Sequence, residues 1–142
     1  MKKKKASTCY KNISLETASP GKLILMLYDG SLKFISLAKK GFNSDSARES
    51  YEQINNNITR ATNIISELKA CLDMSVEGDF SGTMFNLYEY MEALLCQANI
   101  KKQIDPILEV EKILKEIRDA WAEMLAKHED PKVNTASLSC TA

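Results

Sequence analysis

The chain has 142 residues, enough for one domain with a real core and no need of disulfide or metal staples. Its 19 basic and 19 acidic residues cancel to zero net charge, which argues against a broad nucleic-acid surface, because such a surface needs a basic excess to displace counterions from phosphates. A hydrophobic share of 44% with 27% charged residues is ordinary for a globular protein, and no stretch is long enough to span a bilayer.

Residues 1–18 carry little periodicity. Lys2 to Lys5 read as a solvated, flexible start rather than a nucleic-acid or membrane arm, and no apolar stretch follows them to make a secretory signal. Tyr10, Ile13 and Leu15 are apolar enough to fold back on the domain. Ser19 then reads as an N-cap and Pro20 as the first helical residue, where its missing N–H costs nothing. The first helix runs to about Lys40, with Gly41 as its stop.

That helix opens on six consecutive apolar residues, Leu23-Ile24-Leu25-Met26-Leu27-Tyr28. Successive side chains are rotated by about 100°, so six neighbours cannot share one face. One stripe passes through Leu23, Leu27, Gly30, Phe34 and Leu37, and a second through Ile24, Tyr28, Ile35 and Ala38, with Leu32 between. One stripe suffices for a bundle helix. The second implies another layer, which Tyr10, Ile13 and Leu15 could supply.

The second helix is expected to start near Asn43-Ser44-Asp45. Tyr51, Ile54, Ile58, Ala61, Ile65, Leu68 and Leu72 then alternate by three and four, a narrow seam for a helix lying along others. Ser75 to Gly82 reads as a loop. A third helix spans about Gly82 to Lys102, with Met84, Leu87, Met91, Leu94 or Leu95, and Ala98 inward. Phe80, Phe85, Tyr88 and Tyr90 do not all fit on that face, and are either rim aromatics under loops or the edge of a groove for an amphipathic partner segment.

Asp105-Pro106 gives an N-cap and first-turn proline to the fourth helix, whose seam is Ile107, Val110, Leu114, Ile117, Trp121 and Met124. Pro131 marks its end. Residues 105–130 hold eight acids against four bases, interleaved as on a solvated face. The fold class expected is all-α: an antiparallel four-helix bundle with an N-terminal segment packed on it and a disordered C-terminal tail. The divisions are a flexible basic leader and cap segment at 1–18, the bundle at 19–130 and the tail at 131–142.

The chemistry expected is that of a binding protein, not an enzyme. With one histidine and no Glu-x-x-His pair, a di-iron site is excluded and a histidine zinc site has too few ligands. His128 near a helix end reads as a favourable charge–dipole placement rather than a phospho-acceptor. Gly78 and Gly82 are followed by no Lys-Ser or Lys-Thr and make no phosphate loop. Cysteines 9, 71, 96 and 140 lack CxxC spacing and read as reduced thiols, with Cys71 and Cys96 as small core residues. No cofactor and no metal are expected.

The residues also resemble a known family, the flagellin-specific export chaperones of the FliS type. The similarity begins at Tyr10 and continues through Thr17-Ala18-Ser19-Pro20-Gly21-Lys22-Leu23-Ile24 and Met26-Leu27-Tyr28-Asp29-Gly30, then Phe34 and Ala38. Gly78, Leu87-Tyr88-Glu89-Tyr90-Met91, Ala98-Asn99, Lys101-Lys102 and Arg118-Asp119-Ala120-Trp121 follow, so that it covers roughly residues 10 to 125. Glu77-Gly78, where the family often has paired glycines, and Thr83, where it often has asparagine, depart from the pattern.

The resemblance implies a cytoplasmic bundle that binds the C-terminal segment of newly made flagellin, prevents premature polymerisation and hands the subunit to the flagellar export apparatus. From charge balance and hydropathy, no nucleic acid and no membrane insertion are expected. Tyr10, Ile13 and Leu15 would form a displaceable cover. Ser19, Pro20, Leu23, Ile24, Leu27 and Tyr28 would contribute to the partner-binding patch, with Leu23 and Leu27 leaning toward core and Ile24 and Tyr28 toward the partner. The alternatives are a helical adaptor or regulator binding a different partner through the same groove, and a phosphotransfer module resting on His128 alone.

Overall fold

The computed structural model describes residues 19–128. Tyr10, Ile13 and Leu15, the end of the bundle domain at 130, and the tail from 131 lie outside the described residues, so the expected leader packing and tail disorder fall there too. The described part is four helices: α1 (Pro20–Gly41), α2 (Ala47–Ala70), α3 (Phe80–Lys101) and α4 (Asp105–Lys127). α1 packs on α2 and α4, and α3 packs on the same two. Short connections between packed neighbours make the bundle antiparallel, with α1 and α3 on one diagonal. There is no strand among the described residues. The all-α four-helix bundle read from periodicity is the architecture found.

Local chemistry sets the helix ends. Ser19 caps α1 by accepting the Lys22 N–H at 3.3 Å. The α2 cap is Ser46, not the expected Asn43–Asp45 group, and its Oγ accepts the Glu49 N–H at 3.4 Å. Of these candidates only Ser46 has an acid three residues on, the pattern of a capping box. α3 starts at Phe80, two residues earlier than expected, because Gly78 (φ +110) makes the turn and Gly82 lies inside the helix. Asp105 is a first-turn residue of α4 rather than its cap, a position taken by Ile104.

The core joins all four helices through Ile35, Ile54, Ile65, Met91, Leu95, Ile107 and Leu114. Three inward assignments differ from expectation. Tyr51, placed in the α2 seam, is exposed, with its ring under the Lys102 ammonium. Tyr88 and Leu125 are buried, one step from residues assigned to their seams, so each seam follows a slightly different line from the heptad count. Cys96 is exposed and Cys71 half-buried, rather than small core residues; Cys96 follows Leu95 of the buried stripe, and the next helical step turns it outward.

Candidate partner-binding surface

Five of the six apolar residues that open α1 are at least half-buried, and Met26 is exposed. α1 is apolar nearly all round because it touches neighbours on several sides. The stripe Ile24, Tyr28, Ile35 and Ala38 lies in the core cluster, with Ser31 also buried. The other stripe turns toward α2: Gly30 faces Ile64, Arg60 lies over the Phe34 ring and Gln53 donates to the Leu37 carbonyl. Asp29 and Lys39 reach α4, where they meet Arg118 and Glu111.

This corrects the expected split of the patch. Ile24 and Tyr28, expected to lean toward a partner, are 5% and 2% exposed. Leu23 is buried as expected, and Leu27 is half-buried against the core. Ser19 and Pro20 are exposed at the tip of α1. Spacing alone does not tell the two stripes apart, and a buried polar pair fixes which one faces inward.

That pair is the Tyr28 and Tyr88 hydroxyls, 2.6 Å apart across the α1–α3 diagonal. A buried phenol without a partner would carry a desolvation penalty, which the pairing removes. Burial raises the Tyr28 pKa, while the hydrogen bond with Tyr88 acts in the opposite direction. Ser31 Oγ donates to the Tyr28 carbonyl at 2.8 Å. The Trp121 ring meets Tyr28 edge-on, with centroids 6.5 Å apart at 67°, and its Nε1–H donates to the Gly21 carbonyl at 2.8 Å. Trp121 thereby pins the first turn of α1 to the last turns of α4.

Above the tyrosines lies a cavity of about 20 Å³, lined by Ile24, Tyr28, Leu68, Leu72, Phe80, Tyr88 and Trp121. It has room for about one water. Phe80 lines it and is still 57% exposed. Met74 and Val76, in the α2–α3 connection at the same end, are exposed as well. This end of the bundle therefore combines a buried aromatic floor with an exposed apolar rim, the kind of surface that an amphipathic segment covers.

Sequence reasoning missed Met74 and Val76, because Ser, Glu and Gly around them marked the segment as polar loop. It flagged the surplus aromatics of α3 without sorting them. Tyr88 is core, Phe85 is half-buried beneath the Lys69 ammonium, and Phe80 and Tyr90 are exposed. Tyr90 O–H donates to Glu109 on α4, and this bond raises its pKa. His128 is the C-cap of α4, with Nδ1 at 2.8 Å from the Met124 carbonyl. Among the described residues no group of side chains could hold a metal ion, and no helix is long and apolar enough to cross a membrane.

The chain matches the family described as Flagellar protein FliS over residues 2–128. It is 42% identical over 118 residues to the flagellar secretion chaperone FliS of Bacillus subtilis, spanning 83% of this chain and 84% of that protein. The flagellar secretion chaperones FliS of Salmonella typhimurium and Campylobacter jejuni are 33% and 36% identical, over 83% and 75% of this chain and 88% and 80% of their own lengths. A match that runs through all four helices, together with these relatives, shows that the chain belongs to the FliS family of flagellar secretion chaperones, which are not enzymes.

Proposed function

We propose that this protein is a cytoplasmic chaperone for flagellin. It binds the C-terminal segment of the subunit, prevents premature polymerisation and keeps it competent for the flagellar export apparatus. The observation that carries this reading is the exposed apolar rim, Met74, Val76 and Phe80, set over the Ile24–Tyr28–Tyr88–Trp121 floor. A filament-forming segment exposes apolar surface until it assembles, and a matching apolar surface masks it. Ordering such a segment costs conformational entropy, so affinity stays moderate for the area covered.

In this reading Tyr10, Ile13 and Leu15 are a displaceable cover over the rim. Ser19, Pro20 and Leu27 border the surface that flagellin contacts. Leu23, Ile24 and Tyr28 act from below by holding its shape. Phe80→Asp tests the assignment, because Phe80 is exposed and its loss leaves the described core intact. We expect at least about tenfold weaker flagellin binding, the loss of one apolar anchor, with an unchanged circular dichroism spectrum. Unchanged affinity would remove this end of the bundle from the interface.

A further inference from the structure

The opposite end of the bundle carries a different feature. α3 ends on Lys102 in the left-handed conformation (φ 50, ψ 53), its N–H returning to the Ala98 carbonyl. The Gln103 N–H bonds to the same carbonyl at 3.2 Å. This is the helix-ending position that glycine fills most easily, and a residue with a Cβ is strained there. The sequence accepts that strain in return for a lysine side chain.

The side chain is held in place. Lys102 Nζ donates to Asn99 Oδ1 at 2.6 Å and lies 5.5 Å from the centre of the Tyr51 ring. Asn99 Nδ2 donates in turn to Asn55 Oδ1 at 2.8 Å, which ties α3 to α2. Lysine has three N–H donors and an asparagine amide two. The Lys102 ammonium, with one donor on Asn99 Oδ1, therefore has N–H donors left for a further acceptor.

The other half-buried cations make the contrast. Lys39 meets Glu111 at 3.0 Å, Lys69 meets Glu92 at 2.6 Å, and Arg118 meets Asp29 at 2.8 Å. Among the described residues no carboxylate pairs with Lys102, although Asp105 follows three positions on. Partial burial lowers the Lys102 pKa, the direction expected when desolvation of a cation is not balanced by an anion. Apolar side chains stand exposed on the same elements: Ile100 is 75% exposed, and Tyr51 and Leu108 are exposed too.

We propose that Lys102, supported by Asn55, Asn99 and Tyr51, is a docking point for a carboxylate carried on an apolar client segment. It rests on the reading of the protein as a flagellin chaperone, and the client is the flagellin C-terminal segment. Its carboxylate is either the chain terminus or an Asp or Glu side chain. The segment would then be held at two ends of the bundle, by apolar contact at the Phe80 end and by charge at the Lys102 end.

Lys102→Gly separates this role from a structural one, since it relieves the left-handed strain while removing the ammonium. Calorimetric titration with flagellin is the measurement, alongside thermal unfolding of the free protein. The variant should melt at the same or a higher temperature, yet bind flagellin about 10- to 100-fold more weakly, as for the loss of one charge-assisted hydrogen bond. That difference should shrink as salt is raised. Lys102→Met, which keeps the side-chain length, should lose affinity similarly. Repeating the titration with a C-terminal flagellin peptide, as acid and as amide, tells a terminal carboxylate from a side-chain one. Equal affinity of wild type and Lys102→Gly, with flagellin bound by both, overturns the docking point and leaves the chaperone reading standing. No binding by the wild type overturns both.

Discussion

Tyr28 decides which way α1 faces. Its hydroxyl meets that of Tyr88, its ring meets Trp121, and its carbonyl receives Ser31. Tyr28→Phe keeps the ring and removes one half of the hydroxyl pair, so it should lower stability by about 1–2 kcal/mol in urea denaturation. The double variant Tyr28→Phe/Tyr88→Phe should lose less than the sum of the two single changes, because each alone already breaks the shared bond. Additive losses would mean that the two hydroxyls are not coupled. The same residue gives a pH signature. Its pKa is raised above the ordinary 10.0 in the folded state, so the folded protein holds the phenol proton more tightly than the unfolded chain does. The stabilisation is complete below the ordinary value and is lost as pH rises through the raised folded value. Stability measured across this window should fall less steeply in Tyr28→Phe than in wild type. At this scale the sequence was partly legible. Periodicity marked Ile24 and Tyr28 as a stripe, but no spacing rule tells a core stripe from a contact stripe. Only a hydroxyl partner 60 residues away, on α3, does.

Helices were the most legible level, because three-four alternation over twenty residues is a strong signal. Their ends were less so. Asn43, Ser44, Asp45 and Ser46 are all capping types, and the choice fell to the one with Glu49 placed to complete the box. Gly41 ends α1, but not by the left-handed turn that glycine usually supplies there. Its backbone is not left-handed, and what requires glycine is the approach of α2: a Cβ there would lie 2.9 Å from Ile54 Cγ1 and 3.2 Å from the Ile54 nitrogen. Alanine ordinarily favours a helix over glycine by about 1 kcal/mol, so the two effects oppose each other. Backbone atoms cannot yield as a flexible side chain can, and the clash should win. Gly41→Ala is expected to lower stability by about 1–3 kcal/mol, the range for overpacking a tight contact. A rise in the urea midpoint would show that α1 and α2 can separate at no cost. Lys102 is the mirror case, where a residue with a side chain occupies a conformation that suits glycine.

Across the described bundle, both ends expose apolar side chains, and the Lys102 end adds a cation that no carboxylate meets. The first turns of α1, the α2–α3 connection and the last turns of α4 meet at one end, where Trp121 locks α1 and Phe80 stands exposed. The ends of α1 and α3 and the starts of α2 and α4 meet at the other, around Lys102. Sequence alone marked the bundle and, through the resemblance, its family. It marked Phe80 as a rim or groove-edge aromatic but not Met74 and Val76, which belong to no stripe and join Phe80 at one end only through the fold. The central claim is that the exposed apolar surface serves the C-terminal segment of flagellin. Calorimetric titration of this protein with intact flagellin, and with flagellin lacking that segment, tests it most directly. A one-to-one complex with the intact subunit and no measurable heat of binding with the truncated one are expected. Equal affinity for the two forms would contradict it.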